Sequence, residues 1–162
     1  MDTIIQNLKH VQQRIDEACK AAGRDPKEVK LLLATKTVSP ERIQQALAAG
    51  YTLIAENKVQ ELKEKYEALK TTPHTNHFIG HLQTNKIKDI LKCEVSCVES
   101  LDRYDLAEKL HQKLSQAGRE MDVFIQVNTS GEESKFGVAP EAALELTHQV
   151  AQLPTLHIRG LM

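Results

Sequence analysis

The sequence predicts an α/β protein in which parallel strands alternate with helices that cover the sheet. Two observations carry this. Short, nearly continuous apolar runs recur along the chain, as strands buried on both faces require, and stretches with one apolar face at helical spacing lie between them. Helix punctuation falls at the joints: Ser39-Pro40 and Ala139-Pro140 open helices, whereas Gly50 and Gly118 close them. The 162 residues, 41% hydrophobic and 27% charged, suffice for one domain with a real core, so 1–162 is expected to be a single domain.

The elements follow in order. An opening amphipathic helix carries Ile4, Ile5, Leu8, Val11, Ile15, Ala18 and Cys19 at three- and four-residue steps, and Gly23 suits its cap. Strands are expected at 31–35, 52–55, 77–82, about 94–98, 122–127 and 156–162. The intervening helices present Ile43/Ala46/Leu47, Val59/Leu62/Tyr66/Leu69, Ile87/Ile90/Leu91, Leu106/Leu110/Leu114 and Leu144/Thr147/Val150/Ala151. Six strands fit an open sheet or six of the eight units of a closed barrel, which takes about 200 residues or more. Either arrangement is expected to leave unpaired sheet edges and so to favour self-association.

Composition excludes several classes. A net charge of -1 gives no electrostatic reason for binding nucleic acid or an anionic membrane surface. No apolar stretch is long enough to span a bilayer, and residues 1–22 lack the uninterrupted apolar core of a signal peptide, so the cytoplasm is expected. Cys19, Cys93 and Cys97 are odd in number and form no CxxC pair, which suggests reduced thiols. His77 and His81, on one strand face, would stand about 13 Å apart, too far to share an ion, so no metal is expected. The P-loop, the GxGxxG turn and the GxSxG elbow are all missing.

Lys36 is the first candidate for chemistry. It closes the run Leu31–Thr35 just before the helix start Ser39-Pro40-Glu41, at the carboxyl end of a strand, where α/β proteins place their ligands. A desolvated lysine there is a nucleophile suited to forming an imine with an aldehyde, and a solvated lysine at a turn is the plainer alternative. The other strand ends bring Glu56-Asn57, Gly80-His81, Glu99-Ser100, Asn128-Thr129 and Met162 to the same face. Each can be a loop cap, and Asn57 is well placed to cap the helix after it, but their convergence suits a small-molecule pocket.

These stretches closely resemble the pyridoxal phosphate homeostasis proteins, relatives of the N-terminal barrel of alanine racemase. The matching segments are Ala34-Thr35-Lys36-Thr37, Glu56-Asn57 with Val59-Gln60-Glu61, and His77-Phe78-Ile79-Gly80 with Leu82-Gln83-Thr84-Asn85-Lys86. Glu99-Ser100-Leu101-Asp102-Arg103, Gln126-Val127-Asn128 through Ser134-Lys135 and Gly137, and Arg159-Gly160-Leu161-Met162 complete the set. The resemblance implies a racemase-type (β/α)8 TIM barrel, about six of its eight units present, and Lys36 as the lysine that holds pyridoxal 5'-phosphate as an internal aldimine. Asn57, His81, Asn128 and Met162 are the accompanying cofactor-binding candidates. Lys58 and His81 depart from the family pattern, in which an aromatic residue and a proline are frequent. The family's last two units carry its phosphate cup and an arginine near the pyridine nitrogen, so weaker cofactor binding is expected without them.

The function implied is reversible storage and delivery of pyridoxal phosphate, with PLP-dependent apo-enzymes as recipients and no catalytic residues. An amino-acid racemase is the alternative, but racemisation needs a base on each face of the cofactor, and Tyr51, Tyr66 and Tyr104 fall at strand starts or in helices. A Schiff-base aldolase would pair Lys36 with an acid such as Glu56, although its motifs do not match. An inactive fragment is the remaining reading.

Overall fold

The computed structural model describes residues 3–162. Strands β1 (Leu33–Ala34), β2 (Leu53–Glu56), β3 (Thr75–Phe78), β4 (Cys97–Leu101), β5 (Met121–Ile125) and β6 (Leu156–Leu161) form one sheet. They lie in the order β1-β2-β3-β4-β5-β6, and every neighbouring pair is parallel. Sequential order without reversal excludes a doubly wound sheet, whose strand order turns back at a switch point, and is the order of a barrel wall. Helix α1 (Thr3–Ala21) precedes the sheet, and α2 (Pro40–Ala48), α3 (Val59–Leu69), α4 (Ile87–Lys92), α5 (Tyr104–Ala117) and α6 (Ala143–Ala151) are the crossovers.

Helix ends follow their sequence signals. Ser39 precedes α2 in extended conformation, Pro40 takes its first position and Glu41 its first turn. Gly118 closes α5 with φ 61°, a left-handed cap that glycine adopts without steric cost.

The main core lies between the sheet and the crossover helices. Phe78, Leu101 and Ile125 on the strands meet Leu62, Ile90, Leu110 and Val150 on the helices. A smaller cluster of Ile43, Leu47, Ile54 and Leu69 seats α2 and α3 on the first strands. The opposite face of the sheet is concave and opens onto a cavity of about 1010 Å³ near the amino ends of the strands. Helices on one face and a hollow on the other are the two sides of a barrel wall.

Three expectations need correction. The fourth strand spans Cys97–Leu101 rather than about 94–98: Glu94 turns with φ 55°, and Val95 is buried in the turn after α4. Glu99 and Ser100 therefore lie within β4 and not beyond its end. The third strand spans Thr75–Phe78 rather than 77–82, so Gly80 and His81 belong to the turn that follows. On α6 the buried residues are Leu146 and Val150, whereas Leu144 is 67% exposed. Among the described residues, no helix is long and apolar enough to cross a membrane.

Candidate functional site

The carboxyl end of the sheet is organised around a buried ionic network. Glu56, the last residue of β2, is 2% exposed and turns toward α3. Its Oε1 accepts hydrogen bonds from Lys65 Nζ at 2.6 Å and Thr35 Oγ1 at 2.6 Å. Lys65 Nζ also donates to the Thr35 carbonyl at 2.8 Å and to Glu61 Oε2 at 3.1 Å. Glu61 in turn accepts from the Thr37 backbone N–H at 2.7 Å. That backbone hydrogen bond, followed by the one from Lys65, holds the Glu61 carboxyl below its ordinary range.

The network grips both sides of Lys36. Thr35 and Thr37 are tied to β2 and α3, and Thr37 adopts φ 61°, uncommon for a β-branched residue. Lys36 is exposed at the resulting turn, so the desolvated lysine expected at this strand end is instead open to solvent. Its amine makes no hydrogen bond or ion pair among the described residues. The turn fixes the backbone and leaves the amine free.

Asn57 follows Glu56 as Lys36 follows Thr35, so the two residues stand side by side just past adjoining strands. Its side-chain Oδ1 is buried and has no hydrogen-bond partner. A buried amide oxygen without a protein donor is costly and calls for a polar partner. Gly80 packs against the Asn57 backbone so closely that a Cβ on it would stand 1.8 Å from the Asn57 carbonyl oxygen. The glycine is there because two backbones meet.

The other candidates separate into two groups. Asn57 and His81 line a cavity of about 300 Å³ with Lys58, Gln60, Lys63 and Lys86, and Lys36 does not reach it. The His81 ring stacks on Phe136 with centroids 3.8 Å apart. Asn128 folds the loop after β5: its amide donates to Glu132 O at 3.0 Å, and its Oδ1 accepts from Gly131 N at 3.0 Å. The Phe136 stack thus bends that loop over the end of β4 toward the turn after β3. Met162 is 41% exposed, and its backbone pairs with Ile125 and Val127. All five candidates lie beyond strand carboxyl ends, but they do not share one enclosed pocket.

Sequence reasoning missed Lys65 and Phe136. A signal for Lys65 existed: a glutamate ending a buried strand needs a cation, and Lys65 is four residues from Glu61 on the next helix. Nothing in the pattern marked Phe136, a lone aromatic residue in a polar loop. Glu56, weighed as an acid partner for Lys36, is committed to Lys65 and faces the helical layer.

Six parallel strands in sequential order, joined by helices, put the chain in the class of parallel α/β barrel folds, with Lys36 past the first strand. The chain belongs to the alanine racemase N-terminal domain family, whose model matches residues 2–162. It is 43% identical over 157 residues to the pyridoxal phosphate homeostasis protein of Aquifex aeolicus, covering 97% of this chain and 68% of that one. The protein of the same name from Pasteurella multocida is 43% identical over 162 residues, covering 99% of this chain and 69% of the relative. Among solved structures, PipY of Synechococcus elongatus with PLP bound superposes with a TM-score of 0.77 at 30% identity, over 91% of this chain and 68% of that one. An unknown protein from Bifidobacterium adolescentis gives a TM-score of 0.91 at 35% identity, over 100% of this chain and 71% of that one.

Proposed function

We propose that the chain binds pyridoxal 5'-phosphate and holds it reversibly through Lys36, as a carrier in the homeostasis of that cofactor. The observation that carries this reading is the unpaired Lys36 amine on a braced turn, in a chain 43% identical to a pyridoxal phosphate homeostasis protein. When bound, the cofactor supplies an aldehyde that condenses reversibly with a primary amine. The chain's own residues fit such a group. Lys36 offers the amine, and the network beneath it holds Thr35 and Thr37 in place. Asn57, past the end of the neighbouring strand, offers a buried Oδ1 as a further polar group. His81, Asn128 and Met162 shape the neighbouring strand ends.

The role is storage rather than turnover. Tyr51 lies at the amino end of β2 and lines the large cavity there, Tyr66 is on α3 and Tyr104 opens α5, so none stands across from Lys36 as a second base. Apo-enzymes that need the cofactor are the proposed recipients, and self-association is the other proposed contact. Three free, buried cysteines accord with a cytoplasmic location. Titrating the purified chain with pyridoxal phosphate and following its absorption tests the reading. A saturable new band that is absent in Lys36→Ala supports it, and an unchanged spectrum in the folded chain overturns it. Incubation with L-alanine in deuterated water separates carrier from enzyme: steady formation of D-alanine would contradict storage.

A further inference from the structure

The sheet face turned away from the helices carries a second cluster in the middle of β3 and β4, where His77 and Cys97 are level in register with Ala34. His77 and Cys97 are direct register partners on β3 and β4, so their side chains share that face. Glu99, two residues along β4, points the same way. One ligand atom from each, a ring nitrogen of His77, the Cys97 Sγ and a Glu99 carboxylate oxygen, lies within 4.8 Å of the other two. His77 and Glu99 are hydrogen-bonded at 2.5 Å, and Cys97 is 2% exposed. All three border the 1010 Å³ cavity.

We propose that His77, Cys97 and Glu99 form a binding site for one divalent cation of borderline softness, of which Zn²⁺ is the type. The donor set decides the metal. An imidazole nitrogen, a thiolate sulfur and a carboxylate oxygen suit zinc or its near neighbours, whereas magnesium and calcium require oxygen ligands. Three protein ligands leave the fourth tetrahedral position facing the cavity, where water or a small anion completes the shell. Two ligand anions against a dication make the occupied cluster neutral, and Asp122, the other register partner of Cys97, is already paired with Arg159 at 2.9 Å.

Occupancy requires few movements. The cation takes the place of the hydrogen bond between His77 Nδ1 and Glu99 Oε1: the imidazole binds through the Nδ1 lone pair as the neutral tautomer with its one proton on Nε2, and a proton held between Nδ1 and the carboxylate passes to Nε2 or leaves to solvent. The Cys97 S–H bond breaks, its proton leaves to solvent, and an S–metal bond forms. The backbone positions are already set by two strands, as precise sites require. The ion would also bridge a short ladder: β3 and β4 pair two residues from each strand, whereas β2 and β3 pair four. Metal binding is therefore expected to stabilise the sheet. The site is independent of the reading given to Lys36.

Cobalt(II) is the probe. Titration of the chain should produce a thiolate-to-cobalt charge-transfer band that saturates at one equivalent and is displaced by Zn²⁺. The band should vanish in Cys97→Ser, weaken at least tenfold in apparent affinity in His77→Gln and Glu99→Gln, and persist in Lys36→Ala and Cys93→Ala. X-ray absorption of the unaltered zinc-loaded chain provides a check without substitution: one sulfur scatterer at about 2.3 Å, with the rest nitrogen and oxygen. Absence of any thiolate band, its survival in Cys97→Ser, or a zinc shell without sulfur would overturn the assignment.

Discussion

Replacing Lys65 by methionine tests the network that braces Lys36. Methionine approximates the aliphatic stem of lysine, so packing is largely kept while the charge is lost. Three contacts disappear, to Glu56, to the Thr35 carbonyl and to Glu61. The decisive effect falls on Glu56. It is 2% exposed, its Oε2 already lacks a partner, and its Oε1 would retain only the Thr35 hydroxyl. Leaving a buried charge unpaired costs about 3–5 kcal/mol. For a chain of this size that corresponds to a fall in Tm of roughly 6–20 °C, at about 2–4 °C per kcal/mol. Urea denaturation followed by circular dichroism measures it as a lower midpoint at constant slope. The double variant Lys65→Met/Glu56→Leu should recover most of the loss, because an apolar pair in place of a buried ion pair is near neutral or stabilising. Thr35 would then keep its bond to the Ala55 carbonyl at 3.1 Å. A Lys65→Met chain within about 0.5 kcal/mol of the parent, the range of an ordinary surface substitution, would refute the argument.

Further outcomes are expected from the same geometry. Gly80→Ala forces a methyl group to 1.8 Å from the Asn57 carbonyl oxygen and should destabilise the fold by at least about 1–3 kcal/mol, measured by thermal melting. The Glu61 carboxyl lies below its ordinary range when folded, so the stability it contributes is fully present above its unfolded value of about 4.3. That contribution is lost as pH falls through the lower folded value, and Glu61→Gln should flatten this acid limb in a pH series of urea midpoints.

The arrangement of elements was legible because each strand is an apolar run bounded by turn residues and each crossover helix shows its apolar face. The misplaced boundaries share a physical origin. Val95 is as buried as a strand residue yet sits in a turn, so the run around Cys93–Val98 mimics a strand three residues too early. β3 begins with Thr75 and Asn76, polar residues that a search for apolar runs passes over, and Asn76 is nonetheless buried. Lys36 and Asn57 were found because strand ends in this architecture collect ligand groups. Lys65 escaped because a lysine beside Tyr66 on a charged helix looks solvated until its partner across the layer is known. The cluster of His77, Cys97 and Glu99 was invisible for a related reason: it is assembled by register between two strands, and linear spacing carries no register. On α6 the face expected from Leu144 runs through the polar Thr147 to Val150, whereas Leu146 stands four residues before Val150 and is the buried one.

The central claim is that Lys36 is the amine that holds pyridoxal phosphate, and chemical trapping tests it most directly. The chain is loaded with the cofactor, reduced with borohydride, digested and mapped by mass spectrometry. The account predicts one pyridoxyl-modified residue, Lys36, with labelling lost in Lys36→Ala while the circular dichroism spectrum is retained. A modification concentrated on Lys58, Lys86 or Lys135, with Lys36 unlabelled, would contradict it.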